Sequence, residues 1–142
     1  MVLLDINVLI ALLDGWHPHH SAALRFLKQA LRDGWATCPL TENGFLRIFG
    51  HANYQHGPGS VAEAARLLRE YCGAPGHQFW ADDATLLNAS IFPNLPGAKH
   101  LTDLYLLGLA VKHEGKLATF DRRIDPSLVI GGAQALTLIP HA

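Results

Sequence analysis

An aspartate set inside a run of aliphatic residues constrains this chain more than any other feature. In Val2-Leu3-Leu4-Asp5-Ile6-Asn7-Val8-Leu9-Ile10, Val2–Leu4 reads as a short buried strand. Val8–Leu13 reads as the opening turns of a buried helix, which leaves Asp5 at the junction. In an α/β sheet that junction is the carboxyl end of a strand, where ligand sites form. A carboxylate walled in by aliphatic side chains is costly unless a partner or a cation meets it.

The rest of the chain repeats this alternation. The first helix is expected to end at Asp14-Gly15, with Gly15 as a left-handed cap. Ala22, Leu24, Phe26, Leu27, Ala30 and Leu31 recur at helical spacing up to Asp33-Gly34. Trp35–Cys38 is a second strand stopped by Pro39, and Phe45, Ile48 and Phe49 share one face of the helix after it. Gly57-Pro58-Gly59 has the string of a dinucleotide fingerprint without its preceding strand. Ser60 and Glu63 instead form a capping box for a helix over Val61–Tyr71.

A third strand is expected within His77–Ala81, then a helix capped by Asp82 or Asp83 and running through Leu86, Leu87 and Ile91. Leu104–Val111 is apolar nearly all round, so this helix belongs in the middle of the fold, with Thr102 as its N-cap. Lys116–Asp121 is a strand ending in an acid, and Leu136–Ile139 a final edge strand. Such alternation predicts an α/β fold: a three-layer α/β/α sandwich on a short-stranded parallel central sheet. At 142 residues the expectation is one domain spanning 1–142.

Hydrophobic residues make up 49% of the chain and charged ones 16%, which excludes a disordered polypeptide. A formal net charge of −1 gives no general affinity for polyanions, so any such ligand must be held by local groups. Cys38 and Cys72 make neither a disulfide framework nor a zinc ribbon, consistent with reduced thiols. The His17-Pro18-His19-His20 run lacks a fourth ligand at usable spacing and reads as a connector. The first residues lack a signal peptide's basic start, and no apolar stretch reaches the roughly 18 residues that cross a bilayer. A cytoplasmic protein without a membrane partner is expected.

Four acids occupy equivalent places: Asp5 and Asp121 terminate strands, while Glu42 and Asp103 begin helices. In a doubly covered parallel sheet these positions share one edge, provided the helix of Asp103 is entered from there. Clustered carboxylates repel unless a cation is present. Hard oxygen ligands in an open cluster suit Mg²⁺ or Mn²⁺, and the chemistry that follows is phosphodiester hydrolysis. Arg47, Lys99, Arg122 and Arg123 are the nearby candidate phosphate contacts. Asp82-Asp83 reads as a capping pair, and Asp125, before Pro126, as a turn residue.

Four stretches carry a family resemblance. They are Leu3-Leu4-Asp5-Ile6-Asn7-Val8-Leu9, Thr41-Glu42-Asn43-Gly44-Phe45-Leu46-Arg47, His100-Leu101-Thr102-Asp103-Leu104-Tyr105-Leu106 and Leu117-Ala118-Thr119-Phe120-Asp121-Arg122. In this order they resemble the PIN-domain ribonucleases, and most closely the VapC-type toxins. The resemblance implies a PIN-like fold, Mg²⁺- or Mn²⁺-dependent endonucleolytic cleavage of RNA, a homodimer, and inhibition by a cognate antitoxin. It implies Asp5, Glu42, Asp103 and Asp121 as the acidic quartet, Asn7 orienting the first acid, and Thr119 as the hydroxyl before the last. Other phosphohydrolases on a doubly wound sheet fit less well: a haloacid-dehalogenase-like site wants an acid where Asn7 stands. A non-catalytic module whose acids only hold a cation remains open.

Overall fold

The computed structural model describes residues 1–141. Strand β1 (Val2–Leu4) leads into helices α1 (Ile6–Leu13) and α2 (His20–Ala30), then β2 (Trp35–Thr37), α3 (Pro39–Phe49), α4 (Val61–Cys72) and β3 (His77–Phe79). A turn of 3-10 helix (Ala98–His100) opens α5 (Leu101–Lys112), followed by β4 (Lys116–Thr119), the short α6 (Gly132–Ala135) and β5 (Leu136–Leu138).

All strand pairs are parallel, in the order β3-β2-β1-β4-β5. From β1 the chain steps outward to β2 and β3, then crosses back to β4 on the other side. The order therefore reverses between β1 and β4, paired Leu4 to Ala118. That switch point is where an open α/β sheet leaves a crevice at its carboxyl edge. Helices α1–α4 and α5–α6 cover opposite faces, giving two cores. One holds Leu4, Val8, Leu9, Phe45 and Ala118; the other holds Leu3, Leu106, Leu109 and Leu117. Successive strand residues feed opposite cores, so β1 needs aliphatic residues throughout. The α/β/α sandwich expected from the alternation is the observed architecture.

Helix α5 is buried from Leu104 to Ala110, as its all-round apolarity requires. Helix α4 begins at Ser60, whose hydroxyl accepts from the Glu63 N–H at 3.1 Å. Helix α3 lies tight against the start of α1 at Gly44, where a Cβ would press into the Ile6 side chain. We expect Gly44→Ala to cost about 1–3 kcal/mol through overpacking, measured by urea unfolding; an unchanged midpoint would refute the close approach.

Three local expectations are corrected. Residues 81–97 form turns, not the helix expected through Leu86 and Ile91. Thr85 and Asn88 side chains accept from the N–H groups of Leu87 (3.2 Å) and Ser90 (2.9 Å), which competes with helical pairing. Asp82 instead accepts from Leu40 N–H in the first turn of α3 at 3.1 Å, and Asp83 pairs with His113 at 3.0 Å. Phe92 is the segment's anchor, buried where Gly108 leaves α5 without a side chain.

Secondly, α1 ends on Asp14 rather than on a left-handed Gly15. Asp14 is buried in extended backbone, and its carboxylate accepts from Trp16 N–H (2.9 Å) and Tyr54 O–H (2.6 Å). Left-handed glycines occur instead at Gly34, Gly59, Gly76 and Gly131. Thirdly, the 3-10 turn carries α5 back to Leu101. Thr102 therefore lies inside the helix, with His100 at the cap position.

Candidate active site

Asp5 follows the last residue of β1 and is only 3% exposed. One carboxylate oxygen accepts from the Ile6 N–H at 2.7 Å, making Asp5 the cap of α1. The other accepts from the Thr119 hydroxyl at 2.6 Å. Thr119, fully buried at the end of β4, also accepts from Asn7 Nδ2 (3.2 Å) and from the Asp121 N–H (3.0 Å). Both of those partners are donors, so the hydroxyl's single proton is committed to Asp5. Asn7 Oδ1 closes the network by accepting from Phe120 N–H at 3.3 Å. The end of β1, the first turn of α1 and the end of β4 are thus locked together at the switch point.

Burial pushes the Asp5 carboxyl up to about 6; Thr119 opposes this, and the charges of Asp103 and Asp121 add to it. Asp103 stands in the first turn of α5, half-buried. Its carboxyl is raised by burial and by Asp121, against the pull of His100 and Arg123. Asp121 is held below the ordinary carboxylate range by Arg123, whose Nε and Nη2 meet its two oxygens at 3.0 and 3.2 Å. These three acids share one field at the carboxyl edge. The condition that α5 be entered from that edge is met. A small cleft of about 60 Å³ beside them is lined in part by His100, Asp103, Arg123 and Asp125.

Glu42 is in the first turn of α3, as expected, but its carboxylate is engaged elsewhere. It accepts from the Thr37 hydroxyl at 2.7 Å, and its charge bears on His77 and Cys72 rather than on Asp5. Among the described residues, no three His, Cys, Asp or Glu side chains stand close enough to hold a metal ion as they are oriented. The donor chemistry still fits a hard divalent cation: all-oxygen ligands, one of them a buried acid destabilised by two like charges. Asp125 caps the turn at Pro126–Leu128, accepting from Ser127 N–H (3.0 Å) and Oγ (2.6 Å), which is the turn role read from Pro126.

Arg47 and Arg122 are exposed, and neither forms an ion pair among the described residues. The arginine that reaches the acids is Arg123. His100 was not singled out by sequence reasoning. Its one signal was its place just before Thr102-Asp103 at a helix start. His17, His19 and His20 form no chelate: His17 Nδ1 accepts from His19 N–H at 3.0 Å, and the His19 ring stacks on Phe120. No helix among the described residues is long and apolar enough to cross a membrane.

The PIN domain family model matches residues 2–126, from the first strand through Asp121 and Asp125. The chain belongs to the PIN domain family. This PIN domain is 39% identical over 142 residues to ribonuclease VapC44 of Mycobacterium tuberculosis (strain H37Rv), covering 99% of this chain and 92% of that one. It is 38% identical over 138 residues to ribonuclease VapC39 of the same strain, covering 94% and 98%. Among solved structures it is similar to a chain of VapBC2 from Rickettsia felis bound to a DNA fragment from their promoter. There the TM-score is 0.60 at 10% identity, covering 99% of this chain and 100% of that one, a likeness of fold.

Proposed function

We propose that this PIN domain is a divalent-cation-dependent endoribonuclease, the toxin of a toxin–antitoxin pair. What supports the reading is that Asp5 and the Asp121 N–H meet on the Thr119 hydroxyl at the switch point of the sheet, while Asp103 lines one cleft with Arg123, the guanidinium bound to Asp121. Relatives named as ribonucleases, 38–39% identical over nearly the whole chain, support RNA as the substrate. The fold shared with VapBC2 of Rickettsia felis agrees with an antitoxin partner. A homodimer, a cytoplasmic location and one domain over 1–142 belong to the same proposal.

Asp5, Glu42, Asp103 and Asp121 would hold Mg²⁺ or Mn²⁺. Once bound, such an ion activates water and stabilises charge on the phosphate oxygens. The chain's own part is preorganisation. Thr119 and Asn7 fix the Asp5 carboxylate, so one rotamer is available without further ordering. The first turn of α5 presents Asp103 to the same edge, and its dipole favours negative charge there. Arg123, now on Asp121, exchanges that carboxylate for a substrate phosphate as RNA enters. Arg47 and Arg122 extend the contacts along the backbone.

The test is cleavage of total cellular RNA by the purified protein with Mg²⁺ or Mn²⁺, with EDTA as control. We expect expression without an antitoxin to arrest a host, and Asp103→Ala to relieve the arrest and abolish cleavage. Equal toxicity of the variant would remove Asp103 from the reaction. The Arg123–Asp121 pair favours one second reading, a non-catalytic module in which a guanidinium neutralises the acids. On that reading neither protein cleaves RNA with any metal.

A further inference from the structure

Two strands of this sheet end in a fully buried threonine, and each threonine donates to an acid. Thr119 closes β4 and donates to Asp5 at 2.6 Å; Thr37 closes β2 and donates to Glu42 at 2.7 Å. In the first case the remaining partners of the hydroxyl are donors, Asn7 Nδ2 and Asp121 N–H. In the second the partner is His77 Nε2, at 2.8 Å. A threonine hydroxyl has one proton, and Thr37 has already given it to Glu42. Nε2 of His77 must therefore carry a hydrogen and donate it, whatever the charge of the ring.

The register explains why these residues meet. His77 is level with Trp35 in the parallel β2–β3 pair, so its side chain lies on the face shared by Trp35 and Thr37. The indole of Trp35 packs on the imidazole, ring centroids 4.6 Å apart, and limits its tilt. Glu42 meanwhile borders a cleft of about 430 Å³ between α3 and α4, so its other oxygen is not sealed in.

We infer that His77 and Thr37 form a second carboxylate anchor, a donor chain His77 to Thr37 to Glu42, that positions Glu42 as the counterpart of the Asn7–Thr119–Asp5 chain. Neither residue touches substrate; both act through Glu42. The inference rests on the proposed nuclease reading for its consequence in catalysis, but not for its geometry.

The experiment compares wild type, Thr37→Val, Thr37→Ser and His77→Phe. Three readouts are taken: imidazole nitrogen shifts of His77 in long-range ¹⁵N–¹H spectra, Mn²⁺ affinity by electron paramagnetic resonance without RNA, and kcat and KM for RNA. We expect a protonated Nε2 in the wild type. Thr37→Val and His77→Phe should weaken Mn²⁺ binding and lower kcat roughly 10- to 100-fold, the usual cost of losing an outer-shell partner. KM for RNA should hold within about twofold, and Thr37→Ser should restore both Mn²⁺ affinity and kcat.

An unprotonated Nε2 in the wild type overturns the anchor. So does wild-type Mn²⁺ affinity in Thr37→Val, or a serine variant no better than the valine one. Thermal melts identify a variant that merely unfolds, and His77→Phe then decides the outcome with Thr37→Ser. If wild type cleaves no RNA, the nuclease reading fails, while the tautomer and Mn²⁺ measurements still judge the anchor.

Discussion

Asp5→Asn should emerge with no RNA cleavage and with greater stability at neutral pH than the wild type. The carboxyl of Asp5 is raised from 3.8 to about 6, chiefly by burial. Between those values the native state binds more protons than the unfolded chain. Wild-type stability therefore falls as pH rises through this window and stays lower above it. The full shift corresponds to about 3 kcal/mol. An amide offers one acceptor oxygen where the carboxylate offers two, so the bond to Ile6 N–H or to Thr119 is lost. That costs about 1 kcal/mol, leaving a net gain of roughly 2 kcal/mol.

The gain should appear as a Tm higher by several degrees at pH 7.5 in EDTA, and should vanish below about pH 4. Mg²⁺ should raise the Tm of the wild type by binding the native state, and should do little for the variant. A variant that cleaves RNA like the wild type would remove Asp5 from the reaction. A variant less stable at pH 7.5 would refute the account of its burial.

Thr119→Val should be the most damaging single exchange at the site that leaves every acid in place. It removes the donor to Asp5 Oδ2 and the acceptor shared by Asn7 and the Asp121 N–H. A hydrogen bond to a charged group contributes about 1.5–3 kcal/mol, and two donors are left short, so the expected loss is about 2–4 kcal/mol. The Asp5 carboxyl should rise further, because Thr119 is the chief influence holding it down. Cleavage should fall roughly 10- to 100-fold in kcat. Thr119→Ser keeps the hydroxyl and should stay within about 1 kcal/mol of wild type. Denaturant melts and initial rates on the three proteins check this, and a valine variant matching the serine one would refute the shared-hydroxyl account.

The layers were legible in the amino-acid pattern. A period near 3.6 in α2, a capping box at the start of α4, short aliphatic runs at β1 and β4, and an all-round apolar α5 leave few alternatives to a covered parallel sheet. Burial on both faces demands that composition. The same pattern also determined that Asp5 needs a partner, since an unpaired carboxylate in such surroundings cannot be left alone. The expected helix through Leu86 and Ile91 failed because Thr85 and Asn88 offer the backbone competing local bonds, which periodicity does not register.

Which groups meet was settled by packing and register. That Arg123 rather than Arg122 faces Asp121 depends on how the chain turns after β4, and adjacent residues of one type carry no mark of it. That His100 lies near Asp103 and Asp121 depends on the 3-10 turn before α5. The Thr37–His77 contact depends on β2–β3 register across 40 positions of chain. Local sequence fixes the period and polarity of each element; which side chains converge is set by register and crossover, and these are settled only when both faces of the sheet are packed.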